Sequence, residues 1–433
     1  MAMSSNTTLI PKGYRPRLFE KRLDVLMRAF GCVEITGPKW CGKTWTALSR
    51  SASATRLDDP SQREAAQMDP ALALVGDVPH LVDEWQEVPE VWDAARRKVD
   101  DAGGERGLLL LTGSTSLASD KREKVRHSGT GRIARLTMSP MALCESGESV
   151  ARVSLRALLD GRGMEPARCE TGIQDVARWC CRGGWPANLG LPDEVAFETA
   201  AQYIRSVLDV NVLDERLSPD TALALMRALA VNESQAVTYK TLGRDMSGGR
   251  PAPDVGTIAS YLELFNRLYL TAELRGWELP LRGKSRVRVK PKRYFCDPSL
   301  PAALLGATPD GLLRDMQTLG LLFENLVIRD LRAFISTYGG VGNQLYYYRD
   351  DTGLEVDAIV ECGTRWGAIE IKLSDTKADD AAENLKRLRN KVLRNSAAQS
   401  AEPSFLAVVV GRGSLAYTRD DGVCVIPVAL LGA

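Results

Sequence analysis

CVEITGPKWCGKT, residues Cys32–Thr44, is the stretch on which the reading of this 433-residue chain turns. CVEIT is a short apolar strand. GPKWCGKT, from Gly37 to Thr44, then follows the pattern Gly-x4-Gly-Lys-Thr and opens a helical segment. A strand, a Gly-rich loop and a helix in that order make a phosphate-binding loop. The amides of Gly37, Pro38 (carbonyl only), Lys39, Trp40, Cys41, Gly42, Lys43, Thr44 and Trp45 line the path of the phosphates. Lys43 supplies a point charge to the β and γ phosphates, and Thr44 a hydroxyl to Mg²⁺. The expected ligands are therefore ATP and Mg²⁺.

Outward from the loop, HLVDEWQ ends a second apolar strand in Asp83-Glu84. Asp83 is placed to hold the magnesium, and Glu84 to polarise the attacking water. A third strand, LLLLT (Leu108–Thr112), runs on to Ser114, where a polar sensor of the γ-phosphate belongs. Arg132 and Arg135 follow in GTGRIARLT as candidate arginine fingers, in cis or toward a neighbouring copy, or as plain surface arginines. Continuous apolar strands alternating with polar helices such as VWDAARRKVDDA predict a parallel sheet covered on both faces.

LDDP, HLVDEWQEVPEVWDAARRKVD, LLLLTGSTSL and GTGRIARLTMSPMALCE, in that order, resemble the AAA-type ATPases of the archaeal-ATPase group. In those proteins a P-loop core is fused to a C-terminal domain of unknown function. The resemblance spans most of the chain. It implies an ATP-binding, ATP-hydrolysing core, and it includes Gln86 in the Asp83-Glu84-Trp85-Gln86 run. RGGWP, Arg182 to Pro186, is similar to a box that contacts ADP phosphates in signalling switch ATPases. That likeness implies nucleotide contacts at Gly184 and Pro186, with Arg182 reading the nucleotide state. A helix-breaking turn is the other reading.

Further on, RGKSRVRVKPKRYF alternates Arg286, Arg288, Lys290 and Lys292 with other residues. Period two puts the four cations on one face of a strand. The segment follows a helix, turn, helix pattern, so the ensemble resembles a winged helix with a basic wing that neutralises DNA phosphates. An edge strand guarded by charge is the alternative.

GLEVDAIVECGTRWGAIEIKLSD, Gly353 to Asp375, carries Asp357, Glu370 and Lys372 in the D…(D/E)xK pattern of the restriction-endonuclease-like superfamily. Glu370 and Lys372, two apart on a strand, share a face. Glu324, in the amphipathic LLFENLVIRDLRAF, can project toward the same place. That resemblance implies Mg²⁺ on Glu324, Asp357 and Glu370, with Lys372 as the catalytic lysine. Acids at strand ends beside a lysine on an open face would give the same letters.

The expected organisation is thus α/β throughout. It comprises a P-loop domain (1–150), a helical lid-like region (151–216), a winged helix (217–300) and a nuclease-like α/β domain (301–433). Lys and Arg (56) balance Asp and Glu (55), so any nucleic-acid partner must be held by local patches. No apolar run is long enough for a bilayer span and no signal segment opens the chain, so a cytoplasmic protein without membrane contact is expected. Nine scattered cysteines and two histidines, His80 and His127, argue for buried thiols over a structural zinc site. DNA is the expected partner and a homo-oligomer is compatible. A nucleotide-dependent switch or scaffold that binds a partner without cleaving is the alternative, and protein remodelling a weaker third.

Overall fold

The structure, a computed structural model, describes residues 9–114, 125, 127–215, 217–249, 251–277, 290–339, 343–394 and 402–433. The chain forms two compact units. One holds residues up to Pro140 together with Arg267–Leu270; the other holds 141–266 and 271–433.

The first unit is built on five parallel strands, β1 (Cys32–Thr36), β2 (Ser53–Arg56), β3 (His80–Asp83), β4 (Leu109–Gly113) and β5 (Ile133–Thr137). Their order in the sheet is β2-β3-β4-β1-β5. Both faces are covered, which is why the strands read as unbroken apolar runs. Cys32, Val82, Leu109 and Leu111 pack with Trp85, Trp92 and Val99 on one face. Val33, Ile35, Leu81 and Leu110 pack with Leu23, Leu26, Ala47 and Leu48 on the other. β1 and β3 therefore deliver Gly37 and Asp83 to the same carboxyl edge of the sheet, where open α/β sheets bind ligands.

The second unit opens with two short strands, β6 (Val153–Ser154) and β7 (Ala167–Arg168). Helices Ile173–Arg182, Asp193–Ser206, Pro219–Val231, Tyr239–Ser247 and Val255–Arg267 follow, and then an antiparallel ribbon of β8 (Thr271–Leu274) and β9 (Lys292–Phe295). Helix Met316–Ser336 leads into β10 (Asn343–Arg349), β11 (Glu355–Cys362) and β12 (Arg365–Ser374). Helix Ala378–Arg394 returns the chain to β13 (Phe405–Arg412), and β14 (Leu415–Thr418), β15 (Cys424–Pro427) and β16 (Leu431–Gly432) complete it. A seven-stranded mixed sheet runs β10-β11-β12-β13-β15-β14-β7. Ala381, Leu385, Leu388 and Val392 of the returning helix pack on Val356, Ala368, Val408 and Val425.

The continuous part of the first unit runs to Pro140. The lid-like, winged and terminal segments do not separate into three bodies. β6 pairs with β16 and β7 with β14, so part of the expected lid region is woven into the terminal sheet. The ribbon is stitched to that sheet too, through the Trp277 amide to the Tyr347 carbonyl at 2.6 Å and the Tyr347 amide to the Arg275 carbonyl at 3.0 Å. No helix among the described residues is long and apolar enough to cross a membrane.

Candidate functional site

In the first unit the loop after β1 turns sharply at Gly37, whose φ is +141°. A Cβ there would stand 2.3 Å from the Met138 carbonyl oxygen, so only glycine lets the loop pass so close to the chain after β5. The Lys43 ammonium is buried and donates to the loop's own carbonyls, Gly37 at 3.0 Å and Pro38 at 2.7 Å. Cys41 is buried, while Trp40 and Trp45 are exposed. Thr44 donates its hydroxyl to Asp83 Oδ1 at 3.0 Å, and the Thr112 hydroxyl donates to the same oxygen. Burial raises the Asp83 carboxyl above its ordinary value. A hydroxyl and a buried carboxylate side by side are the hard oxygen donors that magnesium takes, so the residues present fit the ion. Glu84, in left-handed backbone at φ 54°, accepts from Ser114 Oγ at 2.9 Å and from the Gln86 amide.

The two candidate fingers are engaged locally. Arg132 pairs with Asp100 at 2.8 Å. Arg135 pairs with Glu34 at 2.6 Å and lies over the Trp92 ring, 4.9 Å from its centroid. Glu34 points from β1 into the apolar layer that holds Trp85 and Trp92, and burial raises its pKa. Trp85 Nε1 donates to its other oxygen at 3.0 Å. Arg135 is therefore the counter-charge of a buried carboxylate in this structure.

Arg17, which sequence reasoning passed over, is buried and donates to the Cys41 carbonyl at 2.7 Å and the Ser139 carbonyl at 2.9 Å. It ties the phosphate loop to the segment after β5. Nothing in its sequence neighbourhood distinguishes it from the other cations of RPRLFEKR.

In the second unit the backbone of Gly184 is fully used. Its amide donates to Asp297 at 2.9 Å, and its carbonyl accepts from the Met141 amide at 2.7 Å. Arg329 joins the same Asp297 at 2.9 Å and Asp330 at 2.8 Å, and the Leu143 amide donates to Asp330 at 3.0 Å. A Cβ on Gly184 would meet the Met141 carbonyl oxygen at 2.3 Å. Trp185 Nε1 donates to Ser299 at 2.9 Å, and Pro186 begins a short 3-10 turn. Arg182 is paired with Glu148. Protein groups thus occupy the Gly184 donor and acceptor in this structure, which gives the turn a packing role.

The terminal sheet gathers Glu324, Asp357, Glu370 and Lys372. Lys372 Nζ lies 3.1 Å from Asp357 Oδ2 and also pairs with Glu370. The Ile371 amide donates to Asp357 Oδ2 at 2.8 Å. Burial and the neighbouring Asp357 charge push the Glu370 carboxyl up, and its Oε1 has no hydrogen-bond partner. Glu324 reaches the cluster from helix Met316–Ser336 and accepts from the Tyr294 hydroxyl at 2.7 Å.

Lys292 corrects the expected basic stripe. Its ammonium is buried 3.0 Å from Glu324, 2.8 Å from Glu355 and 3.7 Å from Asp357. Burial alone would lower its pKa, but the Glu324, Asp357 and Glu355 charges outweigh that and hold it above the ordinary lysine value. Lys290 is exposed, while Arg286 and Arg288 lie outside the described residues. Period two placed Lys292 with the other cations, but three carboxylates distant in sequence draw it inward. Among the described residues no group of three or more His, Cys, Asp or Glu side chains is placed to hold a metal ion. The Mg²⁺ set expected at Glu324, Asp357 and Glu370 therefore does not fit as arranged, because ammonium groups stand between the carboxylates.

Comparison with known proteins agrees with the first unit's geometry. The family described as an AAA domain matches residues 30–146. The first unit has a P-loop fold and resembles an AAA domain over these residues. Two families described only as domains of unknown function, DUF8612 and DUF4143, match residues 173–311 and 319–431. Uncharacterized proteins of Mycobacterium tuberculosis and Mycobacterium bovis are each 27% identical over 352 residues, spanning 79% of this chain and 70% of the relative. A Walker-type ATPase of Pyrococcus abyssi aligns over 69% of this chain and 99% of its own, at 11% identity and a TM-score of 0.38. The AAA-domain match spans the phosphate loop, Asp83-Glu84 and Ser114, whereas Arg17 lies ahead of it.

Proposed function

We propose that the chain binds and hydrolyses ATP and couples that turnover to DNA through its second unit. The observation that carries the reading is the meeting of Thr44, Asp83 and Thr112 at the carboxyl edge of the sheet, beside Lys43. Thr44 and Asp83 would hold Mg²⁺, which when bound neutralises phosphate charge. The loop amides and Lys43 bind and orient the phosphates. Glu84 takes a proton from, or aligns, the attacking water once its hydrogen bonds with Ser114 and Gln86 are exchanged. DNA contact is supported by the succession of helices Pro219–Val231, Tyr239–Ser247 and Val255–Arg267 followed by the β8–β9 ribbon, which has the order of a winged helix. The order helix, three strands, helix, strand from Met316 to Arg412, with Asp357, Glu370 and Lys372 in one cluster, supports the nuclease-like reading of the terminal segment.

The test is ATP turnover titrated with single-stranded, duplex and branched DNA. Stimulation of severalfold is expected, with Lys43→Ala reducing turnover by about 100-fold or more. Slow turnover indifferent to DNA would move the chain to the second reading, a nucleotide-dependent switch whose second unit binds a partner without cleaving. Lys292 between the carboxylates favours that second reading for the terminal segment. Intact plasmid after incubation with Mg²⁺ or Mn²⁺, or cutting that survives Lys372→Ala, would remove cleavage from the proposal.

A further inference from the structure

The carboxylate cluster of the second unit draws its cations from two different segments. Lys372 comes from β12, inside the cluster's own hairpin. Lys292 comes from β9, outside the 319–431 family match. An ammonium has three donors and no acceptor. Those of Lys292 face three carboxylates, Glu324, Glu355 and Asp357, at 3.0, 2.8 and 3.7 Å. Asp357 is engaged through both oxygens, Oδ1 toward Lys292 and Oδ2 toward Lys372 and the Ile371 amide. Glu324 Oε1 also accepts from Tyr294. Glu370 Oε1 is a buried oxygen of the cluster without a hydrogen-bond partner, and one such oxygen does not make a site for a hard dication. The ammonium is also held in place: its side chain is 4% exposed, its strand is paired along β8, and it lies 5.5 Å from the Tyr347 ring centroid.

We propose that Lys292 is the built-in cation of this cluster, standing where a divalent ion would bridge Glu324 and Asp357 and excluding that ion from the resting protein. The residue thereby sets the metal requirement of the terminal site, and removing its charge converts the cluster into a divalent site. The inference deepens the reading of the second unit as a DNA-acting centre. Its readout, metal count without ATP or DNA, is separate from that reading.

The experiment counts bound Mn²⁺ by electron paramagnetic resonance on the full chain, free of nucleotide. An Asp83→Asn background silences the first unit. In that background no Asp357-dependent Mn²⁺ is expected. Lys292→Met should gain one Mn²⁺, bound at least tenfold tighter than any ion in the background, and lose it when Asp357→Asn is added. A background protein that already binds one Mn²⁺ sensitive to Asp357→Asn overturns the proposal. So does a Lys292→Met protein with an unchanged circular dichroism spectrum that gains no ion. If Lys292→Met fails to fold, the background and its Asp357→Asn variant decide: an Asp357-dependent ion overturns the proposal and its absence supports it.

Discussion

Arg17 and Arg135 each hold a local contact whose weight single substitutions can test. Arg17→Ala leaves the Cys41 and Ser139 carbonyls without their buried donor. The expected cost is about 1–3 kcal/mol of stability, with weaker nucleotide binding because the loop loses its anchor. Chemical denaturation and ADP titration measure the two effects separately. Arg135→Ala uncovers a carboxylate that lies in an apolar layer, with Trp85 its remaining donor. A loss of roughly 1–3 kcal/mol is expected in nucleotide-free protein. A finger would show no such loss and would lower turnover alone, so unchanged stability would favour the finger reading. At this scale the sequence was readable where function is local. Gly37 to Thr44 form one continuous loop, and Asp83 ends an apolar strand, so spacing alone assigns them. Glu34 was opaque because a carboxylate inside CVEIT needs a partner about a hundred residues away, which no pattern names. Lys292 was misplaced for the same reason, since alternation sees neighbours in the chain and not Glu324 across the fold.

Among the elements, the break after helix Ile173–Arg182 serves as a packed joint. Gly183 and Gly184 let the chain press against Asp297 and Met141, where any side chain would collide. The Arg329 guanidinium sits between Asp297 and Asp330, and all three are buried. Arg329→Met should cost about 3–5 kcal/mol, because two carboxylates remain buried without their counter-charge. Thermal melting of the second unit reports it. Burial raises the Asp330 carboxyl from 3.8 to about 6. Between those values the folded chain keeps a proton that the unfolded chain has released. This group's contribution is therefore full below about pH 4 and lost as pH rises through 6. Asp330→Asn should flatten the stability profile in that window, as followed by urea midpoints at successive pH values. The glycine pair was legible as a tight turn. What it presses against was not, because Asp297 and Arg329 lie more than a hundred residues further along the chain.

For the whole molecule, the division into two units with separate cores predicts two calorimetric transitions. ADP with Mg²⁺ should raise the transition of the first unit, by about 2.7 kcal/mol of stabilisation at a hundredfold excess over Kd, and leave the other in place. A single transition that moves as one would refute independent unfolding. The α/β class and the parallel sheet were legible from apolar runs; the outline of the second unit was not. Its seven-stranded sheet takes in β7, and β6 pairs separately with β16; strands of two residues leave no periodic trace. That borrowing governs how the protein can be dissected. A fragment cut to the bounds of the 319–431 family match would lose β7 from beside β14, baring backbone donors and acceptors that seek any passing strand. It would also lose Lys292, leaving Glu324, Glu355 and Asp357 with Lys372 and Arg349 to balance their charge. Such a piece should clump on expression, whereas one beginning ahead of Met141 keeps its own edge guarded and its acids in company.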